Sequence, residues 1–176
     1  MKANWTKDIL LKTAAVVLMA AALGWAQDKR LLEKSFAPGS IMRVEVGAEA
    51  CDVKVYQGGG EFIVMIYGDE DAEKYLEFTA EQNGSTLEVG AEKRGGFNSI
   101  SGVDARIEIV VPTSAIDLSV KTAGGDVSCS DVNGSVNAKT AGGDVSVTNG
   151  GGELSAKTAG GDLDVVYSGD VSVVAN

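Results

Sequence analysis

Carboxylates and ammonium groups recur at one fixed spacing in this chain. Lys121-Thr122-Ala123-Gly124-Gly125-Asp126 returns as Lys139 to Asp144 and again as Lys157 to Asp162. Lys121, Lys139 and Lys157 therefore stand 18 residues apart, as do Asp126, Asp144 and Asp162. Rows of carboxylates could serve paired-acid glycoside hydrolysis, which uses carboxyl groups about 5 to 10 Å apart, or calcium binding through oxygen ligands. They could also recognise a repeating ligand with a repeating surface.

The first two chemistries fit poorly. A calcium-binding β-roll needs Gly-Gly-x-Gly-x-Asp, which spaces each Asp so that oxygens of adjacent turns converge on one ion. Here each Asp directly follows the Gly pair, and the 18-residue period holds no second motif. Hydrolysis would need long loops to close over a sugar, but the corners are short. Aromatic side chains to stack on one are few beyond Tyr56, Tyr67, Tyr75, Phe97 and Tyr167. The chain has no histidine, which removes Ser-His-Asp and Cys-His nucleophiles and the commonest transition-metal ligand. The Gly pairs run into strands and not into helices, so they are not phosphate loops. The sequence thus predicts a protein that is not an enzyme, with no catalytic residue, no metal site and no cofactor. Its candidate binding surface is Lys121, Asp126, Lys139, Asp144, Lys157 and Asp162.

The elements that position these residues follow from the repeat. A fixed period without insertions means stacked units. Leu118, Val136 and Leu154 correspond, as do Val120, Ala138 and Ala156, and, beyond the Gly pair, Val127, Val145 and Leu163. Each repeat reads as two short alternating strands, with the buried face switching at the Gly pair. Glycine suits that corner because it reaches backbone angles closed to other residues. A second corner is read at Asp131 to Gly134 and at Thr148 to Gly152. Stacked coils would align equivalent residues on neighbouring strands about 4.8 Å apart. The fold expected is all-β: a parallel β-helix or β-solenoid with 18-residue coils in the C-terminal half. An antiparallel meander or sandwich is the alternative, since Asn-Gly and Gly-Gly are hairpin signals too. Equal coil lengths favour stacking, because one inserted residue would break the register. In the stack, the Lys and Asp rows become two charged columns whose repulsion would be relieved by mutual proximity or by a bound ligand.

The N-terminal half reads as less regular β structure. Met42 to Val46 and Asp52 to Val55 alternate, and Asp52-Val53-Lys54-Val55 resembles a degenerate copy of Asp126 to Cys129. Glu61 to Tyr67, Tyr75 to Ala80, Thr86 to Val89 and Arg106 to Val111 follow as strands. Residues 91–104 read as a mobile surface loop, and no useful helical periodicity appears. Before all this, Lys2, Lys7 and Lys12, an apolar run from Thr13 to Leu23 and the small residues Gly24 and Ala26 form a secretory leader pattern. The organisation expected is a signal peptide over 1–26 and a β-solenoid domain over 27–176, irregular over 27–112 and regular over 113–176. No transmembrane segment is expected after cleavage.

Without the leader, 12 basic side chains face 24 acidic ones, a net charge of −12. That sign argues against nucleic acid and anionic lipid head groups, since a polyanion partner would need a local basic patch that the sequence does not display; cationic partners and neutral glycans stay open. Cys51 and Cys129 could form a disulfide in an oxidising compartment. Cys129 equally reads as a small core hydrophobe, since Val147 and Val165 fill its repeat position.

Phe36-Ala37-Pro38-Gly39 at the start of a strand, Val111-Pro112 before the repeats, and the recurring Ala-Gly-Gly-Asp-Val signature together resemble a widespread family. It comprises exported bacterial β-strand-repeat proteins of unknown function, adhesin-like in type, and the likeness spans Ser35 to the C-terminus. The family's usual spelling is closer to Ser-Gly-Asp-Val, so the second Gly is a departure. The resemblance implies a β-solenoid or β-helix on the cell envelope with no catalytic residues to carry over; with the leader and the repeated surface, the expectation is a non-catalytic module in the periplasm, on the cell envelope or outside the cell that binds a polymer or a protein surface. An assembly role is also expected, through self-association of a C-terminal coil left uncapped beyond Val171 and Val173.

Overall fold

The computed structural model describes residues 29–95, 102–112 and 115–175, with the backbone alone at 174 and 175. The strands are β1 (Lys29–Phe36), β2 (Arg43–Ala48), β3 (Asp52–Gln57), β4 (Phe62–Gly68), β5 (Leu76–Asn83), β6 (Thr86–Lys93), β7 (Ala105–Val111), β8 (Asp117–Thr122), β9 (Val127–Ser130), β10 (Val136–Thr140), β11 (Val145–Gly150), β12 (Glu153–Thr158), β13 (Leu163–Tyr167) and β14 (Asp170–Ala175). One short helix, α1 (Glu70–Tyr75), precedes β5; the Asp69 carboxylate accepts the Ala72 N–H at 2.7 Å to start it. The sequence shows no periodicity for α1 because its single buried residue is Ala72.

Among the described residues the strands form two seven-stranded sheets. Sheet A runs β1-β4-β7-β3-β9-β11-β13, and sheet B runs β14-β12-β10-β8-β2-β6-β5. The three motif copies lie on parallel strands in register. Leu118, Val136 and Leu154 align across β8, β10 and β12, as do Lys121, Lys139 and Lys157. Val127, Val145 and Leu163 align across β9, β11 and β13. Parallel pairing rules out the antiparallel meander for the repeats. Each 18-residue unit places one strand in each sheet, and the apolar residues of both strands point into the space between (Val120, Val127, Ala138, Val145 and Leu154, all buried). Such a unit has no core of its own, so neighbours bury what it cannot.

The resemblance of Asp52-Val53-Lys54-Val55 to the repeats is structural. Val53 aligns with Val127 and Val55 with Cys129, while β2 aligns with β8 from Arg43↔Asp117 onward. The β2–β3 pair therefore stacks directly on β8–β9, and β6 and β7 lie on its other side. The strands between β3 and β8 (β4 to β7) form an excursion that builds the far end of the stack before the chain returns. At that end the pairing turns antiparallel, with β1 on β4, β4 on β7 and β5 on β6. A two-residue turn at Gly84-Ser85, with Gly84 at φ 61°, closes the β5–β6 hairpin. The stretch read as a loop from residue 91 is strand as far as Lys93. The leader read over 1–26 lies outside the described residues. Among the described residues no helix is long and apolar enough to cross a membrane.

The Gly pairs serve a different purpose from the one their type suggests. None of Gly124, Gly125, Gly142, Gly143, Gly160 and Gly161 has positive φ. The second of each pair is instead pressed against the preceding coil: a Cβ on Gly125, Gly143 or Gly161 would overlap the carbonyl of Cys51, Gly125 or Gly143 respectively. Within the repeats, the positive φ values among the described residues fall at the second corner, at Asp131 (57°) and Asn149 (54°) and at Gly134 and Gly152.

Gly143→Ala is therefore expected to cost about 2 kcal/mol or more in urea unfolding, because backbone stands in the way of the new methyl. Gly142→Ala, whose Cβ would sit an ordinary 3.7 Å from Ala123 O, should stay within about 1 kcal/mol of the parent.

Candidate functional site

The repeat motif splits into an interior part and a surface part at each corner. Thr122, Thr140 and Thr158 are buried, continuing the inward positions 118 and 120 of their strands. The Thr140 hydroxyl donates to Gly125 O at 2.9 Å and accepts the Gly143 N–H at 3.1 Å. Thr158 repeats this with Gly143 O and Gly161 N, and Thr122 with Cys51 O and Gly125 N. One hydroxyl thus satisfies a donor in its own corner and an acceptor in the coil before it.

The Asp column is used in the same way. The Asp126 carboxylate accepts the Asp144 N–H at 2.8 Å, Asp144 accepts the Asp162 N–H at 2.7 Å, and Asp52 accepts the Asp126 N–H at 2.9 Å. A fourth carboxylate, Asp52, joins the three read from the repeat; the degenerate copy was its signal. Asp52, Asp126 and Asp144 each spend an oxygen on the main chain of the next coil, which offsets the mutual repulsion with charge-assisted hydrogen bonds. The carboxylates remain exposed. Among the described residues no group of three or more acidic or thiol side chains is arranged to hold a metal ion.

The Lys column lies elsewhere. Lys121, Lys139 and Lys157 project from the outer face of sheet B, opposite in sense to the buried Val120 and Ala138, whereas each Asp follows the corner at the start of a sheet A strand. The six predicted residues thus form two separate lines. Among the described residues no ion pair joins them. In register, the Lys line continues through Gly47 on β2 and Gly90 on β6. Beside it runs a second line: Glu88, Glu45, Ser119, Asn137, Ser155 and Ser172. The bare backbone of Gly47 and Gly90 floors an open depression of about 380 Å³ bordered by Glu45, Glu88, Glu92 and Lys121. A second depression, of about 360 Å³, is lined by Ser119, Lys121, Ser135 and Asn137 together with Arg43 and Asp117, which pair at 3.6 Å. Asn137 Oδ1 is buried there without a hydrogen-bond partner.

On the outer face of sheet A, Arg106 holds Glu108 at 2.9 Å and stacks 5.0 Å from the Tyr67 ring centre, and Lys54 lies 5.5 Å from that of Tyr56. Burial, then the Glu108 charge, raises both tyrosine pKa values. These groups satisfy one another. Cys51 and Cys129 are free and buried, so no disulfide forms. Cys129 aligns with Val147, and Val147 with Val165, as a core hydrophobe. Burial pushes both thiols up to about 12. At the last coil, Val171 and Val173 are 46% and 44% exposed, whereas their in-register partners Leu154 and Ala156 are fully buried.

The structure defines a repeat protein of two facing sheets, with coil-to-coil hydrogen bonds at glycine corners and a polar, periodic exterior. The chain belongs to the family described as Toastrack DUF4097, whose model matches residues 41–168, in agreement with the resemblance read from the motif. No curated protein matches it. Several solved structures are similar at low identity. A candidate cell adhesion protein from Clostridium sporogenes is 11% identical over 85% of this chain and 100% of its own, with TM-score 0.42. A candidate adhesin from Parabacteroides merdae is 12% identical over 82% and 91%, with TM-score 0.28. A candidate lipid binding protein from Parabacteroides distasonis is 13% identical over 82% and 92%, with TM-score 0.30.

The thiols provide a pH test. The unfolded thiol titrates near about pH 8.5, and the folded value is raised, so the stability tied to Cys51 and Cys129 is complete below that pH. It is lost progressively as pH rises toward 12. The urea midpoint should fall between pH 8 and pH 10.5, and native protein at pH 8 should show no titratable thiol until unfolded.

Proposed function

We propose that this chain is an exported, non-catalytic β-solenoid of the bacterial envelope whose repeated exterior holds an extended ligand, adhesin-like in the broad sense. The supporting observation is the in-register outer face of sheet B, where equivalent side chains return on every strand. A polymer lying across the strands meets the same groups at each step, so weak contacts add without a deep pocket. The Lys line and its Ser and Asn neighbours carry the contact in this reading. The Asp line, already engaged with main-chain N–H groups, holds the corner at its border.

Ser119→Trp with Ser155→Trp would cover the sheet B face, and Ser128→Trp with Ser146→Trp would cover sheet A. Capture of cell-wall material and intact cells by the folded protein should drop at least about tenfold for the first pair and little for the second. Capture unaffected by blocking sheet B, or absent from the parent protein, would refute the reading.

A second reading, end-to-end association, is favoured by the exposure of Val171 and Val173, whose counterparts one coil earlier are buried. Open strand edges with apolar side chains pair readily. Sedimentation equilibrium should then show concentration-dependent association that Val171→Lys with Val173→Lys abolishes; a monomer at all concentrations would contradict it.

A further inference from the structure

We propose that the Lys121, Lys139 and Lys157 line on sheet B is a binding track for a linear carboxylated glycan. The inference deepens the function proposed above and rests on it.

The net charge predicts repulsion of polyanions unless a basic patch exists, and folding makes one from residues 18 positions apart. Adjacent strands set the three lysines in register, their backbones roughly 4.8 Å apart from strand to strand. A glycan chain lying across the strands meets one lysine per strand, and the flexible lysine side chains can reach carboxylates that project to either side of it. No carboxylate among the described residues pairs with these three lysines. Three like charges held this closely repel one another, and a polymer carrying matching anions relieves that repulsion. Lysine suits this task, since a single carboxylate on a flexible chain needs a mobile point charge more than a planar fork.

Two neighbouring features select a sugar polymer over a bare anion chain. Ser119, Asn137, Ser155 and Ser172 run alongside, one strand each, offering hydroxyl and amide groups to ring hydroxyls. The depression lined by Ser119, Ser135 and Asn137 includes Asn137 Oδ1, an acceptor with no hydrogen-bond partner among the described residues. The track also has an end. Beyond Lys121 the line passes onto Gly47 and Gly90, flanked by Glu45 and Glu88, and these carboxylates repel a continuing polyanion, fixing the bound length at about the three or four coils from β8 onward.

The test is titration calorimetry of the purified protein with polygalacturonate at low and moderate salt, against the same polymer fully methyl-esterified. Binding should require free carboxylates, weaken as salt is raised, and fall at least about tenfold in Lys139→Gln with Lys157→Gln, whose folding is checked by circular dichroism. Gly47→Lys, where a Cβ meets nothing within 4 Å, adds a fourth ammonium in register and should tighten binding several-fold. Equal binding of the esterified polymer would overturn the carboxylate track while leaving polymer binding in place. Affinity for polygalacturonate that neither substitution alters would overturn the track, as would failure to bind it by a protein that still captures cell-wall material through sheet B. Tighter binding of inorganic polyphosphate than of polygalacturonate would overturn the glycan assignment.

Discussion

Everything in this structure depends on how closely one coil can lie on the next at the glycine corner. A hydrogen-bonded parallel ladder fixes the strand spacing at about 4.8 Å, and the chain must turn from one sheet to the other without widening that gap. At Gly125, Gly143 and Gly161 the backbone rests against the carbonyl of the coil before it, leaving no room for a side chain. The buried threonine hydroxyls and the Asp carboxylates then tie the two coils together. Once that approach is fixed, register follows, and register alone lines up the apolar side chains within and the lysines without.

A division of labour within six residues results. Lys is exterior, Thr interior, Ala and the first Gly cover the bend, the second Gly permits contact, and Asp fastens the next coil. A motif that reads as a row of surface charges is mostly a stacking device. Its first residue is without a structural partner among the described residues in all three copies, which is why the functional reading falls on the lysines.

The sequence carried the stacking clearly and the corner chemistry poorly. Equal 18-residue spacing pointed to stacked coils, and the odd-even switch of apolar positions at the Gly pair located the turn from sheet B to sheet A. The buried thr residues were legible in principle, because 122 continues the inward positions 118 and 120, but a hydroxyl there suggests a surface residue unless its partners are known. Close approach at Gly125 involves Cys51, 74 residues away, and no local signal marks such a contact. The same applies to Asp52, whose role depends on an excursion, β4 to β7, that inserts strands on the far side of β2 and β3. The antiparallel pairing of β1, β4 and β5 was hidden for a different reason: an alternating strand looks the same whichever way its neighbour runs. The Lys line was visible as a spacing, but its separation from the Asp line depends on which side of the corner each stands.

Backbone amide NOEs in solution measure the stacking directly. Residue 137 should contact both 119 and 155, and residue 146 both 128 and 164, with each series advancing in the same direction along its strands. Contacts in which one partner's number rises as the other's falls would mean antiparallel hairpins and would contradict the account.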